Sequence, residues 1–147
     1  MNILRFLKPK VTVTWLSEDS SVRQGLEKMR INGFTAVPVV SQDGQYKGTV
    51  TEGDILRFIV SSGSFDIKEC EKTPISSVLR VGFNPPISVY ADRDCVMDRI
   101  AEQNFLPVTD DRGVFVGIIT RRDLIRDFAA NDRAARVEKE KRSKAAV

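Results

Sequence analysis

Residues 30–56 read RINGFTAVPVVSQDGQYKGTVTEGDIL, and residues 99–125 read RIAEQNFLPVTDDRGVFVGIITRRDLI. Laid over one another they need no gap, and eight positions are identical: Arg30/Arg99, Ile31/Ile100, Pro38/Pro107, Val39/Val108, Gly44/Gly113, Gly48/Gly117, Thr51/Thr120 and Asp54/Asp123. Self-similarity of this kind is an internal repeat, and a repeat governs the reading of the fold.

Working outward, each copy gives the same elements. SSVRQGLEKMRING places Val22, Leu26 and Met29 at helical spacing, with Ser20 or Ser21 as cap and Gly33 as stop. TAVPVV and YKGTVT are short strands around the SQDG turn. A helix follows from about Glu52, with Ile55, Leu56 and Ile59 expected inside and Gly63 ending it. The second copy repeats this with a helix capped by Asp92 or Asp94, two strands around Arg112-Gly113, and a last helix RRDLIRDFAAN. Counted to the shared proline, its first helix is expected to be about one turn shorter.

The order is β-α-β-β-α, twice. Strands across each turn are antiparallel, and the helical crossover favours a parallel neighbour. Each half has too few strands to bury a durable core alone. The fold class expected is therefore α/β with α+β character: two tandem repeats packed sheet to sheet about a pseudo-two-fold axis. The divisions expected are 1–63, a first repeat with its N-terminal segment; 64–86, a connector; 87–130, a second repeat; and 131–147, a basic tail. In the connector, TPISSVL reads as a short helix with Thr73 as cap and Pro74 at its first position.

Composition narrows the function. The chain has 147 residues, no histidine and two cysteines, Cys70 and Cys95. A typical structural zinc site and every histidine-based triad are thereby disfavoured or excluded. We expect no metal, no catalytic residues and no enzyme. No apolar run approaches the roughly 20 residues of a membrane span, MNILRFLKPK is too short for a secretory signal, and the expected location is cytoplasmic. Residues 121–147 hold nine Lys/Arg against five acids, so the net +3 is a property of the tail. That tail has no aromatic for base stacking, and nucleic acid is a disfavoured partner.

The corner G-x-x-T-x-x-D recurs at Gly48–Thr51–Asp54 and at Gly117–Thr120–Asp123. By itself T-x-x-D is a capping box, contributing about 1 kcal/mol to its helix.

Together, AVPVVSQDGQYKGTVTEGDIL and FLPVTDDRGVFVGIITRRDLI resemble the cystathionine-β-synthase (CBS) domain pair, or Bateman module, over about residues 8–130. With no other domain attached, the chain is similar to the stand-alone pairs. The resemblance implies a regulatory module that binds an adenine nucleotide in clefts between its halves. AMP, ATP and cyclic di-AMP rank ahead of NAD and S-adenosylmethionine, with no cofactor required. It also implies a disc-like homodimer that signals ligand state to a regulated partner protein. The competing readings are a nucleic-acid-binding module and a purely structural dimerisation module without nucleotide.

The same corner can serve such a ligand. A helix N-terminus attracts phosphate, the threonine hydroxyl can donate to it, and the aspartate can accept both ribose hydroxyls, as acidic residues do in dinucleotide sites. Thr51 and Asp54, with Thr120, Arg121, Arg122 and Asp123, are the ribose-phosphate candidates. Arg121 and Arg122 favour an anion at the second corner, whereas Glu52 opposes one at the first. By resemblance the base slot of the second half is Ile87, Val89, Phe105, Leu106 and Pro107. That of the first half is Val13, Thr35, Ala36 and Pro38.

Overall fold

The structure is a computed structural model that describes residues 2–63 and 66–147. The start of the connector, at Ser64 and Phe65, lies outside the described residues.

Both halves follow the expected order. In the first, strand β2 (Leu16–Ser17) leads to helix α1 (Val22–Asn32), strands β3 (Ala36–Val40) and β4 (Tyr46–Thr51), and helix α2 (Glu52–Ser61). In the second, β5 (Ile87–Ser88) leads to α4 (Arg93–Glu102), β6 (Phe105–Thr109), β7 (Phe115–Thr120) and α5 (Arg121–Ala145). Strand β2 runs parallel to β3 and β5 parallel to β6, while β3/β4 and β6/β7 are antiparallel hairpins. Strand order is β2-β3-β4 in one sheet. In the other it is β1-β7-β6-β5, where β1 is Lys8–Pro9.

The helices start where the sequence puts them. Ser21 and Gln24 close a reciprocal capping box on α1, and Gly33 ends it at φ 68°. Asp92, not Asp94, caps α4. The expectation of a helix one turn shorter is corrected: α4 has 10 residues and α1 has 11. Leu56, expected inside, is 61% exposed, because α2 turns only one stripe, Ile55 and its neighbours, to the core. The connector forms α3 (Ile67–Lys72), which the sequence reading missed. Its predicted helix is a 3-10 turn, Ile75–Val78, begun by Pro74, while Thr73 ends α3 instead. The basic tail continues α5 as one helix. Its turns beyond residue 130 are exposed and laced by the i,i+4 pairs Arg136–Asp132 and Arg142–Glu138.

Each half has its own apolar cluster. Leu16, Val22, Met29, Val37, Val39, Val50 and Ile55 pack with Cys70 and Ile75 of the connector. Ile87, Val96, Leu106, Val108, Ile119 and Leu124 pack with Ile3. Burial of each such side chain contributes about 1.5–3 kcal/mol. The membership of Ile3 and Ile75 reveals an exchange. The N-terminal segment, a 3-10 turn Ile3–Phe6 followed by β1, pairs antiparallel with β7 of the second half, Lys8 opposite Ile118 and Pro9 opposite Gly117. The segment from Ile75 lies on the first half, with Leu79 against Gly48. Ile3, Leu7 and Lys8 match Ile75, Leu79 and Arg80 at the same spacing. Each repeat therefore has a leader, and each leader sits on the other half.

The halves meet at their hairpins by reciprocal bonds. Tyr46 N–H donates to the Gly113 carbonyl (3.1 Å), and Phe115 N–H donates to the Gly44 carbonyl (2.8 Å). The Tyr46 and Phe115 rings lie 6.2 Å apart. These pairs exchange under the repeat, so the pseudo-two-fold axis passes between them.

Candidate functional site

Two clefts open between the halves, and each takes the threonine of its T-x-x-D corner from one half and a facing wall from the other. The first, about 380 Å³, holds Thr51, Glu52 and Gly53 opposite Phe83, Asn84 and Gln103. The second, about 300 Å³, holds Thr120 and Lys8 opposite Thr12, Val13, Phe34 and Pro38. Ala36, Asn104 and Phe105 line both and form the partition between them.

This crossing re-sorts the base-slot candidates. Val13 and Pro38, read as walls for the first corner, face the second, while Thr35 lies in the first cleft and Ala36 in both. Phe105 is a wall of both clefts. Ile87 and Leu106 are 3% and 0% exposed in the second core, with Val89 packed against that cluster. Pro107 is likewise buried. These four line neither cleft, because the strand faces carrying Ile87 and Leu106 point into their own half's core. The residues that approach a corner come from the opposite half.

The two corners differ in detail. Thr51 accepts from the Asp54 N–H (3.2 Å), and Asp54 Oδ2 accepts from both the N–H and the hydroxyl of Thr51 (2.8 and 2.9 Å). Asp54 Oδ1 accepts from Arg57 Nη2 (2.6 Å) and Arg80 Nε (2.7 Å), which leaves the side chain 0% exposed. Burial pushes this carboxyl up. The Thr51 hydrogen bonds, the Arg57 bond and the charge of Arg80 outweigh that, and hold it below its ordinary value.

At the second corner Thr120 accepts from the Asp123 N–H (3.2 Å), but the reciprocal arm of the capping box is absent among the described residues. Asp123 is 30% exposed and is approached by Lys8 Nζ at 3.4 Å. Arg121 does not enter the cleft. Its Nε and Nη2 donate to the carbonyls of Ile100 and Ala101 (2.9 and 3.3 Å), so it closes the C-terminal end of α4. The anion role read for Arg121 from its neighbour Thr120 is thus replaced by a helix-capping contact. Arg122 is exposed on the first turn of α5.

The floors differ as well. In the first cleft Asn84 Nδ2 donates to the Thr49 hydroxyl (3.0 Å), Gln103 Nε2 donates to Asn84 Oδ1 (2.8 Å), and Tyr46 donates to the Asn84 carbonyl (2.8 Å). Burial drives the Tyr46 hydroxyl up to about 12, against the opposing hydrogen bonds of Thr49 and Asn84. Asn84 holds φ at 53° to make these contacts. At the positions of Thr49 and Gln103 the second half has Ile118, and the first half offers Phe34, so the second floor is apolar. Sequence reading missed Lys8, Arg57, Arg80, Asn84, Gln103 and Ile118. The shared Ile-x-x-x-Leu-cation spacing of the leaders was the available clue to Lys8 and Arg80.

Among the described residues no helix is long and apolar enough to cross a membrane, and no group of three potential metal ligands occurs.

Comparison with known proteins agrees with this architecture. The chain is similar to a CBS domain-containing protein of Dictyostelium discoideum, at 24% identity over 118 residues, 73% of this chain and 78% of that one. Among solved structures it resembles CbpB in complex with c-di-AMP, with 26% identity, a TM-score of 0.85, and coverage of 94% and 91% of the two chains. It also resembles CbpB from Streptococcus agalactiae, with 28% identity, a TM-score of 0.77, and coverage of 86% and 78%. The model of the CBS domain matches residues 9–61 and again 76–130, and the chain therefore belongs to the CBS domain family, as a tandem pair.

Proposed function

We propose that this chain is a regulatory adenine-nucleotide sensor whose ligand occupies the second cleft. The observation that carries the reading is the open carboxylate of Asp123 at the N-terminus of α5, 30% exposed and free of the reciprocal cap that consumes Asp54. A carboxylate there accepts from both ribose hydroxyls, while the N-terminal amides of α5 and the Thr120 hydroxyl receive phosphate. Lys8 Nζ supplies the cation that Arg121, committed to α4, does not. Val13, Phe34, Ala36, Pro38, Phe105 and Ile118 form the apolar slot for a base.

Cyclic di-AMP leads the candidates, with AMP and ATP beside it, since a CbpB chain 26% identical to this one is solved with c-di-AMP. The signal passes to a partner protein through a shift of the two halves or of two copies. Exposed Leu56 and Val60 on α2 and Ile125 on α5 support association of two copies through these helices.

The test is calorimetric titration with c-di-AMP, AMP and ATP, beside Asp123→Ala. Micromolar or tighter binding, about −8 kcal/mol or better, that disappears in the variant is the expected result. Heat from none of the three, or binding indifferent to Asp123, overturns the reading.

A further inference from the structure

The two corners part company at one oxygen atom. In both, one carboxylate oxygen or the threonine hydroxyl serves the helix cap. The remaining acceptor is what a ribose diol needs. At Asp54 that acceptor, Oδ1, holds two guanidinium groups at 2.6 and 2.7 Å. Resting on the nucleotide reading above, we propose that Arg80 and Arg57 are the specificity-determining residues of the first cleft: they occupy its ribose acceptor, so that this chain takes nucleotide in the second cleft alone.

The repeat supplies an internal control. Arg80 corresponds to Lys8 and Arg57 to Arg126. Lys8 is a single ammonium at 3.4 Å from Asp123, and among the described residues Arg126 makes no ion pair with that carboxylate. A planar guanidinium fixed in place is not interchangeable with a flexible ammonium. Arg80 is fixed: its guanidinium lies 3.7 Å over the Phe83 ring, and Phe83 is itself a wall of the first cleft. Arg57 approaches from one turn along α2. Two further features agree. Glu52 sets a negative charge at the mouth where phosphate would lie, and the Thr49–Asn84–Gln103 network uses its own polar groups across the floor. The lock is encoded in the leader exchange, since Arg80 reaches α2 only because its segment sits on the opposite half.

The experiment is calorimetric stoichiometry with c-di-AMP, AMP and ATP for the wild type, Asp123→Ala, Asp54→Ala, Arg57→Leu/Arg80→Leu, and that double variant carrying Asp54→Ala. Leucine keeps part of each stem and leaves the Thr51 cap intact. The expected result is one nucleotide per chain for the wild type, lost in Asp123→Ala, and a second binding event in the double variant that Asp54→Ala removes. Two events in the wild type, one of them removed by Asp54→Ala alone, overturn the lock while leaving the second-cleft reading in place. So does a folded double variant that gains no event. If the wild type binds nothing, the second-cleft reading fails, and the double variant still decides the lock by whether an Asp54-dependent event emerges. Should the double variant not fold by circular dichroism, Arg57→Lys/Arg80→Lys, which copies the Lys8 arrangement, is read in the same way.

Discussion

The first corner spends its aspartate on the fold, and the second leaves its aspartate to solvent. Both have threonine at the cap, aspartate three residues on and glycine three residues before. What separates them is the leader that the other repeat contributes. An arginine stacked on Phe83 seals Asp54, whereas Lys8 only stands near Asp123. A motif thus states what a corner can do, and its neighbours from elsewhere in the chain decide whether it does so.

The comparison can be broken most severely at the glycines beneath the leaders. A Cβ at Gly117 would lie 2.2 Å from the Lys8 carbonyl, while one at Gly48 would lie 3.4 Å from the Leu79 side chain, ordinary contact. Gly117→Ala should displace β1 and expose Ile3, costing about 3 kcal/mol by overpacking and lost burial. Gly48→Ala should cost about 1 kcal/mol for its backbone conformation alone. Urea denaturation of the two variants measures the gap; equal costs would mean that the two strands hold their leaders alike, against the closer approach at Gly117.

Next come the aspartates. Asp54→Ala should cost about 2 kcal/mol, since it removes a reciprocal cap and the anchor for two guanidiniums. Asp123→Ala should cost about 0.5 kcal/mol or less, because it frees only an exposed pair. Denaturant midpoints should therefore rank opposite to the losses of nucleotide affinity.

Acid sharpens the same contrast. The folded-state carboxyl of Asp54 lies below its unfolded value, so its stabilising contribution is present above the ordinary value of about 4 and declines as pH falls through the depressed folded value. The stability difference between wild type and Asp54→Asn should hence be constant near neutrality and shrink below about pH 4. A difference that grew in acid would reverse the assignment. The smallest effect is reserved for Lys8→Ala, whose exposed pair should shift stability by less than about 0.5 kcal/mol, with β1 retained through its backbone.

Much of this was legible in the sequence. Proline, glycine and T-x-x-D at one offset fixed both hairpins and the helices that follow them, because turn and cap chemistry is local. The pairing of Thr120 with Asp123 is local too. What stayed hidden depends on where a segment travels. The spacing shared by Ile3, Leu7 and Lys8 with Ile75, Leu79 and Arg80 marks the two leaders as equivalents, but it does not say that NILRFLKP lies on β7 beside Asp123. Nothing near Asp54 announces Arg80, 26 residues away. Arg121 misled for the same reason: its helix-mates suggested an anion, whereas its bonds run to α4, 20 and 21 residues back. Leu106 and Ile87 were apolar for their own core, and sequence does not distinguish a core wall from a cleft wall.

The exchanged leaders also bear on ancestry and on engineering. A lone repeat with its leader would have had no partner for either, and would have closed by trading leaders with a second copy of itself. Joining two such copies end to end keeps each leader on the other repeat and turns a swapped dimer into one chain. On that view the connector is a covalent tether across an old subunit boundary. Separate polypeptides covering residues 1–63 and 64–147 should still find one another, each carrying the strip that completes the other.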